Sequence, residues 1–417
     1  MRRIRRWIGA AAAFLMIWTA VGAGASVLTE TEKYLTGDGE SAVGILIEGK
    51  IIKMPQFAEE RTEKLNRILQ HAGIRIEISG EESRAVVTMD GEDIFSLTGD
   101  GGEGAGTEAI RRYGRIWKSL EKWKAFFAAL PEAFPETRQE SKINTPYKEY
   151  GKAVKRTALT LSAEEAAEQA AKAGTGTGLY PEAGEMQFEG KQKIALQTGE
   201  EGQLIRINYN GKCGLSDGSI RNVSVEWKTV TEENRSKDQI QIRTPAATGG
   251  ERDNLQMTRE WTLGEDGKEI LTWTAETDAL HNRIRTQKRM TARTEAAEGK
   301  MTIDLAEATV ESGETRRTEI TGEISLEEGK PAEGMLAIIL KTGKIETEHY
   351  EVSFRTYPVI PAIPGDAAET AGGEKSESEI RREQSAALVR AILKLPEEDQ
   401  AFLKDGIGED LWKEILP

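Results

Sequence analysis

Asn222-Val223-Ser224-Val225-Glu226-Trp227-Lys228 places Val223, Val225 and Trp227 at every second position, with polar side chains between them. A strand turns successive side chains to opposite faces, so this stretch predicts a sheet with one buried face and one wetted face. The same period runs from Met186 to Tyr357, through runs at Met186–Gln197, Leu204–Tyr209, Asn222–Val230, Gln239–Arg243, Leu255–Leu263, Glu269–Ala275, Arg283–Thr294, Lys300–Glu307, Thr315–Leu326, Met335–Lys341 and Glu348–Thr356. Turn residues such as Asn210-Gly211, Asp217-Gly218 and Asp266-Gly267 separate them. Short connections between successive strands predict a long antiparallel meander, open or curled into a half-barrel, in an α+β chain.

Upstream, Ala42–Ile47 reads as a buried strand and Phe57–Ala72 as a helix capped by Gly73. Three short runs, Ile74–Ser79, Arg84–Met89 and Asp93–Leu97, then predict a small meander. A Gly-rich loop at 99–106 leads to a helix from Glu108 to Leu130, with Pro131 as its stop. Residues 131–150 read as a Pro-containing linker or surface crossing. Ala153–Leu161 reads as a strand, and Ser162-Ala163-Glu164-Glu165 as a capping box opening a helix over 163–173. The organisation predicted is an N-terminal α+β module over 26–135, a β-rich domain over 136–357, a Pro/Gly/Ala-rich linker over 358–378 and a helical tail over 379–417.

Residues 1–25 carry an address. Arg2, Arg3, Arg5 and Arg6 precede an apolar run from Ala10 to Val21, which ends in Ala23-Gly24-Ala25. That is the pattern of a secretory signal peptide, and the run is short for a membrane span, which needs about 20 apolar residues. The expected location is therefore beyond the cytoplasmic membrane, cell-envelope associated or extracellular, with a retained N-terminal anchor as the alternative. Cutting after Ala25 removes four arginines and no acid, which takes the formal charge from −14 to −18. Such a surface repels nucleic acid, whose binding depends on basic patches. Cys213 is the one cysteine, so no intramolecular disulfide can form.

The chemistry-bearing motifs are few. His71, His281 and His349 fall in three separate elements, and no zinc spacing joins them to Cys213, which reads as a turn cysteine. The sequence contains no Gly-x-Ser-x-Gly elbow, and the glycines at 174–178 follow a helix where a phosphate cradle would open one. The reading is a non-enzymatic binding or scaffolding protein with no cofactor and no metal. Its partner would be a protein or a hydrophobic ligand.

Two apolar features sharpen that reading. Trp227, Trp261 and Trp273 continue the apolar faces of three strands and are candidate ligand contacts, should the sheet curl round a greasy molecule. The helix at 108–130 carries Trp117, Trp123 and Phe126 beside Arg111, Arg115 and Lys118, a basic aromatic combination suited to an anionic membrane surface or a partner, while the favoured reading of the same stripe is a helix clamped over the sheet with its lysines reaching to solvent. In overall plan the chain resembles the exported lipoprotein-carrier half-barrels. The resemblance implies a carrier of lipid or another hydrophobic ligand, and it rests on architecture, with no motif from which to transfer a site. A carboxylate-dependent extracytoplasmic hydrolase is the further alternative, since 70 acidic residues offer many pairs.

Overall fold

The computed structural model describes residues 42–55, 58–79, 82–96, 123–174, 187–214, 220–244, 252–281, 284–325, 331–359, 377–407 and 412. Among the described residues, seventeen strands form one sheet. They are β1 (Ala42–Lys53), β2 (Ala72–Ser79), β3 (Glu82–Met89), β4 (Glu92–Ser96), β5 (Gln139–Tyr147), β6 (Gly151–Leu161), β7 (Phe188–Thr198), β8 (Leu204–Gly214) and β9 (Ile220–Glu232). β10 (Arg235–Thr244), β11 (Arg252–Leu263), β12 (Glu269–His281), β13 (Ile284–Ala297), β14 (Lys300–Glu311), β15 (Glu314–Ser325), β16 (Glu333–Thr342) and β17 (Ile345–Val359) complete it. Five helices accompany the sheet among the described residues: α1 (Glu59–Leu69), α2 (residues 123–133), α3 (Ala163–Gly174), α4 (Glu377–Lys394) and α5 (Glu397–Ile407).

The long meander is present as the alternation predicts. Each strand from β5 to β17 pairs antiparallel with the next, and β17 then pairs antiparallel with β1, Phe354 opposite Ile47. β1 continues through β2 and β3 to β4. The sheet therefore runs β5 to β17, then β1 to β4, and the N-terminal strands are part of it. Antiparallel alternation along that order leaves the two edge strands, β4 and β5, pointing the same way. Closure by an antiparallel β4–β5 pair is thus ruled out by topology.

Each edge is managed. α4 lies along β4, where Ala387, Ala391 and Leu395 share a small core with Ile68, Met89 and Ile94. β5 carries Pro146 and a bulge between Lys142 and Thr145, both poor templates for a foreign strand. This strand corrects the linker expected over 131–150. Its weak alternation reflects an edge position with little burial on either face.

Other corrections have local causes. Gly73 stands inside β2, where a Cβ would meet the Ile47 carbonyl oxygen at 3.2 Å; Gln70 caps α1 instead. α2 continues through Pro131 to residue 133, because a proline so near a helix end forfeits a single bond. Asn210-Gly211 and Cys213 lie within β8, and Cys213 is buried. Gly211 is needed there for close approach: a Cβ would meet the Gln192 Oε1 at 1.8 Å. The capping box forms as expected, with Glu165 N–H donating to Ser162 Oγ at 3.1 Å and Ser162 N–H to Glu165 Oε2 at 2.7 Å.

Candidate functional site

The register sorts the sheet into rows of neighbouring side chains. On the core side, Trp261, Leu271, Thr294 and Ile303 are successive neighbours from β11 to β14. A second core-side row runs Trp227, Ile240, Met257, Ala275 and Met290 from β9 to β13. On the opposite side, Lys237, Glu260, Thr272, Arg293 and Asp304 follow one another from β10 to β14. One face of the sheet is apolar and buried and the other is charged.

All three candidate tryptophans belong to the same core. Trp227, Trp261 and Trp273 are buried, at 3%, 7% and 8% exposure. Two of them hold acids. The Trp227 indole N–H donates to Asp238 at 2.9 Å, and that of Trp261 donates to Glu269. Burial pushes the Glu269 carboxyl above the ordinary carboxylate range, against the pull of the Trp261 bond.

Between the two apolar rows lies a polar one. Thr229, Asp238, Arg259 and Trp273 are successive neighbours on β9 to β12, all facing the core and all buried. Neither Asp238 nor Arg259 is singled out in the sequence analysis. Parity could have found them, since Asp238 keeps step with Ile240 and Ile242, and Arg259 with Met257 and Trp261.

α2 packs against this apolar face. Trp123, Phe126, Phe127 and Phe134 rest half-buried against the main core, and Leu130 is fully buried in it. Phe127 meets Tyr209 on β8 with ring centroids 6.4 Å apart. Lys124 reaches Asp238 at 3.7 Å. Trp123 and Phe126 lie against the protein's own core, as the reading of a helix clamped over the sheet expects. Arg111, Arg115, Trp117 and Lys118 fall outside the described residues, as do residues 1–25. Among the described residues no three His, Cys, Asp or Glu side chains gather as a metal site.

An open groove of about 680 Å³ lies elsewhere, across the far end of β14 to β17 and β1. Leu46, Met335 and Phe354 line it together with Glu48, Glu323 and Arg355. None of the three tryptophans borders it.

No family model and no curated protein matches the sequence. Among solved structures, the chain is similar to OmpT, an outer-membrane-expressed protein of Vibrio cholerae, at 9% identity and a TM-score of 0.29, covering 76% of this chain and 97% of that one. It is similar also to OccK9 (OpdG) of Pseudomonas aeruginosa, at 6% identity and a TM-score of 0.24, over 78% and 99% of the two chains. A BenF-like porin from Pseudomonas fluorescens aligns at 8% identity and a TM-score of 0.20, over 76% and 98%. Superpositions this loose carry no argument about function.

Proposed function

We propose that this is an exported binding protein of the cell envelope or extracellular space, without catalytic chemistry of its own, whose concave apolar face is its interaction surface. The observation that carries the reading is the two-faced sheet. Rows rich in Trp, Leu, Ile and Met line one side continuously from β7 through β17 to β1, while charged rows wet the other. A sheet of this kind is soluble from outside and greasy within, the arrangement that shelters an apolar partner. Residues 1–25 support the location, since a cationic start, a short apolar core and small residues before Ser26 fit a cleaved export signal.

Native mass spectrometry tests it. The protein purified without detergent from its own envelope fraction should begin at Ser26 and carry a bound companion, released on denaturation. A chain that retains residues 1–25 in the cytoplasm would contradict the export half. One that stays empty against every envelope extract would contradict the binding half.

A further inference from the structure

We propose that the groove across β14 to β17 and β1 binds a short peptide with both ends free, a zwitterion whose apolar side chains settle on Met335 and Leu46. The groove lies on the charged face, opposite the apolar core, so the proposal stands or falls separately from the binding reading above.

Register sets two rows of side chains on that face. One holds Lys300 on β14, then Glu333, Arg355 and Leu46 on β16, β17 and β1. The next holds Glu323, Met335 and Glu48 on β15, β16 and β1. Opposite charges on neighbouring strands ordinarily pair, and elsewhere on this face they do. Lys341 and Arg317 both meet Glu319, at 2.7 and 2.9 Å, and Arg206 and Lys228 both meet Glu226, at 3.2 and 3.1 Å. In the groove, Glu48, Lys300, Glu323, Glu333 and Arg355 make no ion pair and no side-chain hydrogen bond among the described residues. This holds even though Glu333 and Arg355 stand directly opposite each other. Charges of both signs are thus left open around a space of about 680 Å³, within the range of small-ligand sites.

The apolar floor limits the size of the guest. Met335 is 60% exposed and Leu46 half-buried, enough to receive one or two short aliphatic side chains and too little for an acyl chain. An unbranched methionine adapts to such varied contacts. The charges fix the ends. Arg355 presents a planar fork suited to a carboxylate, and Glu48, on the next strand and in the next row, accepts from an ammonium. Strand spacing and rise set these two positions about 8 Å apart, close to the roughly 7 Å that an extended dipeptide spans. Leu46 is the register partner of Arg355, so the peptide takes this half of the groove and not the half with Lys300 and Glu323.

The probe is the dipeptide Leu-Leu, titrated into the full mature chain isotope-labelled at its methionine methyl groups, with Met335→Leu assigning the Met335 signal. That signal should shift saturably while those of the buried Met257 and Met301 stay in place. N-acetyl-Leu-Leu, which lacks the ammonium, and Leu-Leu amide, which lacks the carboxylate, should each need about tenfold higher concentration, the worth of one hydrogen bond to a charged group. Arg355→Gln should weaken Leu-Leu by the same factor and leave the amide unchanged. Glu48→Gln should weaken Leu-Leu and leave the N-acetyl form unchanged. Both positions are exposed, and an unchanged urea midpoint separates lost binding from misfolding. A Met335 signal indifferent to Leu-Leu would overturn the site, and equal binding of free and capped dipeptides would overturn the roles of Arg355 and Glu48. A stronger response to monomeric lysophosphatidylethanolamine than to Leu-Leu would overturn the peptide in favour of a lipid headgroup.

Discussion

Glu149, in the turn between β5 and β6, forms a 2.7 Å ion pair with Lys237 on β10. In a flat sheet four strand spacings would hold β6 and β10 about 19 Å apart, so the pair shows that the β5–β6 tip leans across the ends of the intervening strands toward β10. Lys237 also meets Glu260 at 3.0 Å, and Glu260 meets Arg235 at 2.7 Å.

Lys237→Ala should loosen that tip. Hydrogen bonding to the lysine holds Glu149 below the usual carboxylate range, and the bonds from Lys237 and Arg235 hold Glu260 there against its burial. A lowered folded pKa gives stability that is full above the unfolded value, about 4.3, and lost as pH falls through the folded one. The variant should therefore have a lower urea midpoint than the parent at pH 7, with the two converging in acid. Faster amide exchange over 147–151 is the local check.

Glu269 has the opposite sign. Its folded pKa is raised by burial, so the stabilisation is full below the unfolded value and lost as pH rises through the folded one. Glu269→Gln, which still accepts from Trp261, should raise the urea midpoint at pH 8 and give no gain in acid.

Gly211→Ala should cost about 2 kcal/mol by overpacking. Its Cβ would collide with Gln192, which is fully buried and bonded to the Tyr209 hydroxyl at 2.6 Å. Gln192→Ala in the same chain should lower that cost without removing it, because the Cβ would still meet the Tyr209 hydroxyl at 2.6 Å, and a double-mutant cycle in urea measures the difference.

Arg67→Ala should release the C-terminal helices. Arg67 on α1 holds the buried Asp399 of α5 at 2.8 Å, and without it that carboxylate is left uncompensated. Limited proteolysis should then cut within 377–407 while the strands resist, and unaltered cleavage would tell against this attachment.

Much of this architecture was legible in the sequence. The eleven runs between Met186 and Tyr357 became β7 to β17 because burial on one face imposes a period of two. β5 escaped because an edge strand carrying Pro146 and a bulge has no such period. Asn210-Gly211 looked like a turn because a glycine chosen for contact with Gln192 is indistinguishable in sequence from one chosen for φ. Of the site, the tryptophans were visible as a set, while the seating of α2 against Tyr209 and Asp238 was not. Periodicity identifies the face of a helix that is buried and is silent on the surface that receives it.

The central claim is a sheet apolar within and wetted without, and Ala292 and Arg293 test it from adjacent positions on β13. Ala292 is 4% exposed and faces the core, and the Arg293 side chain is 55% exposed. In a Cys213→Ser background, Arg293→Cys should react at once with a charged maleimide in detergent-free buffer, and Ala292→Cys only after unfolding. Rapid labelling at Ala292 with protection at Arg293 would contradict the account.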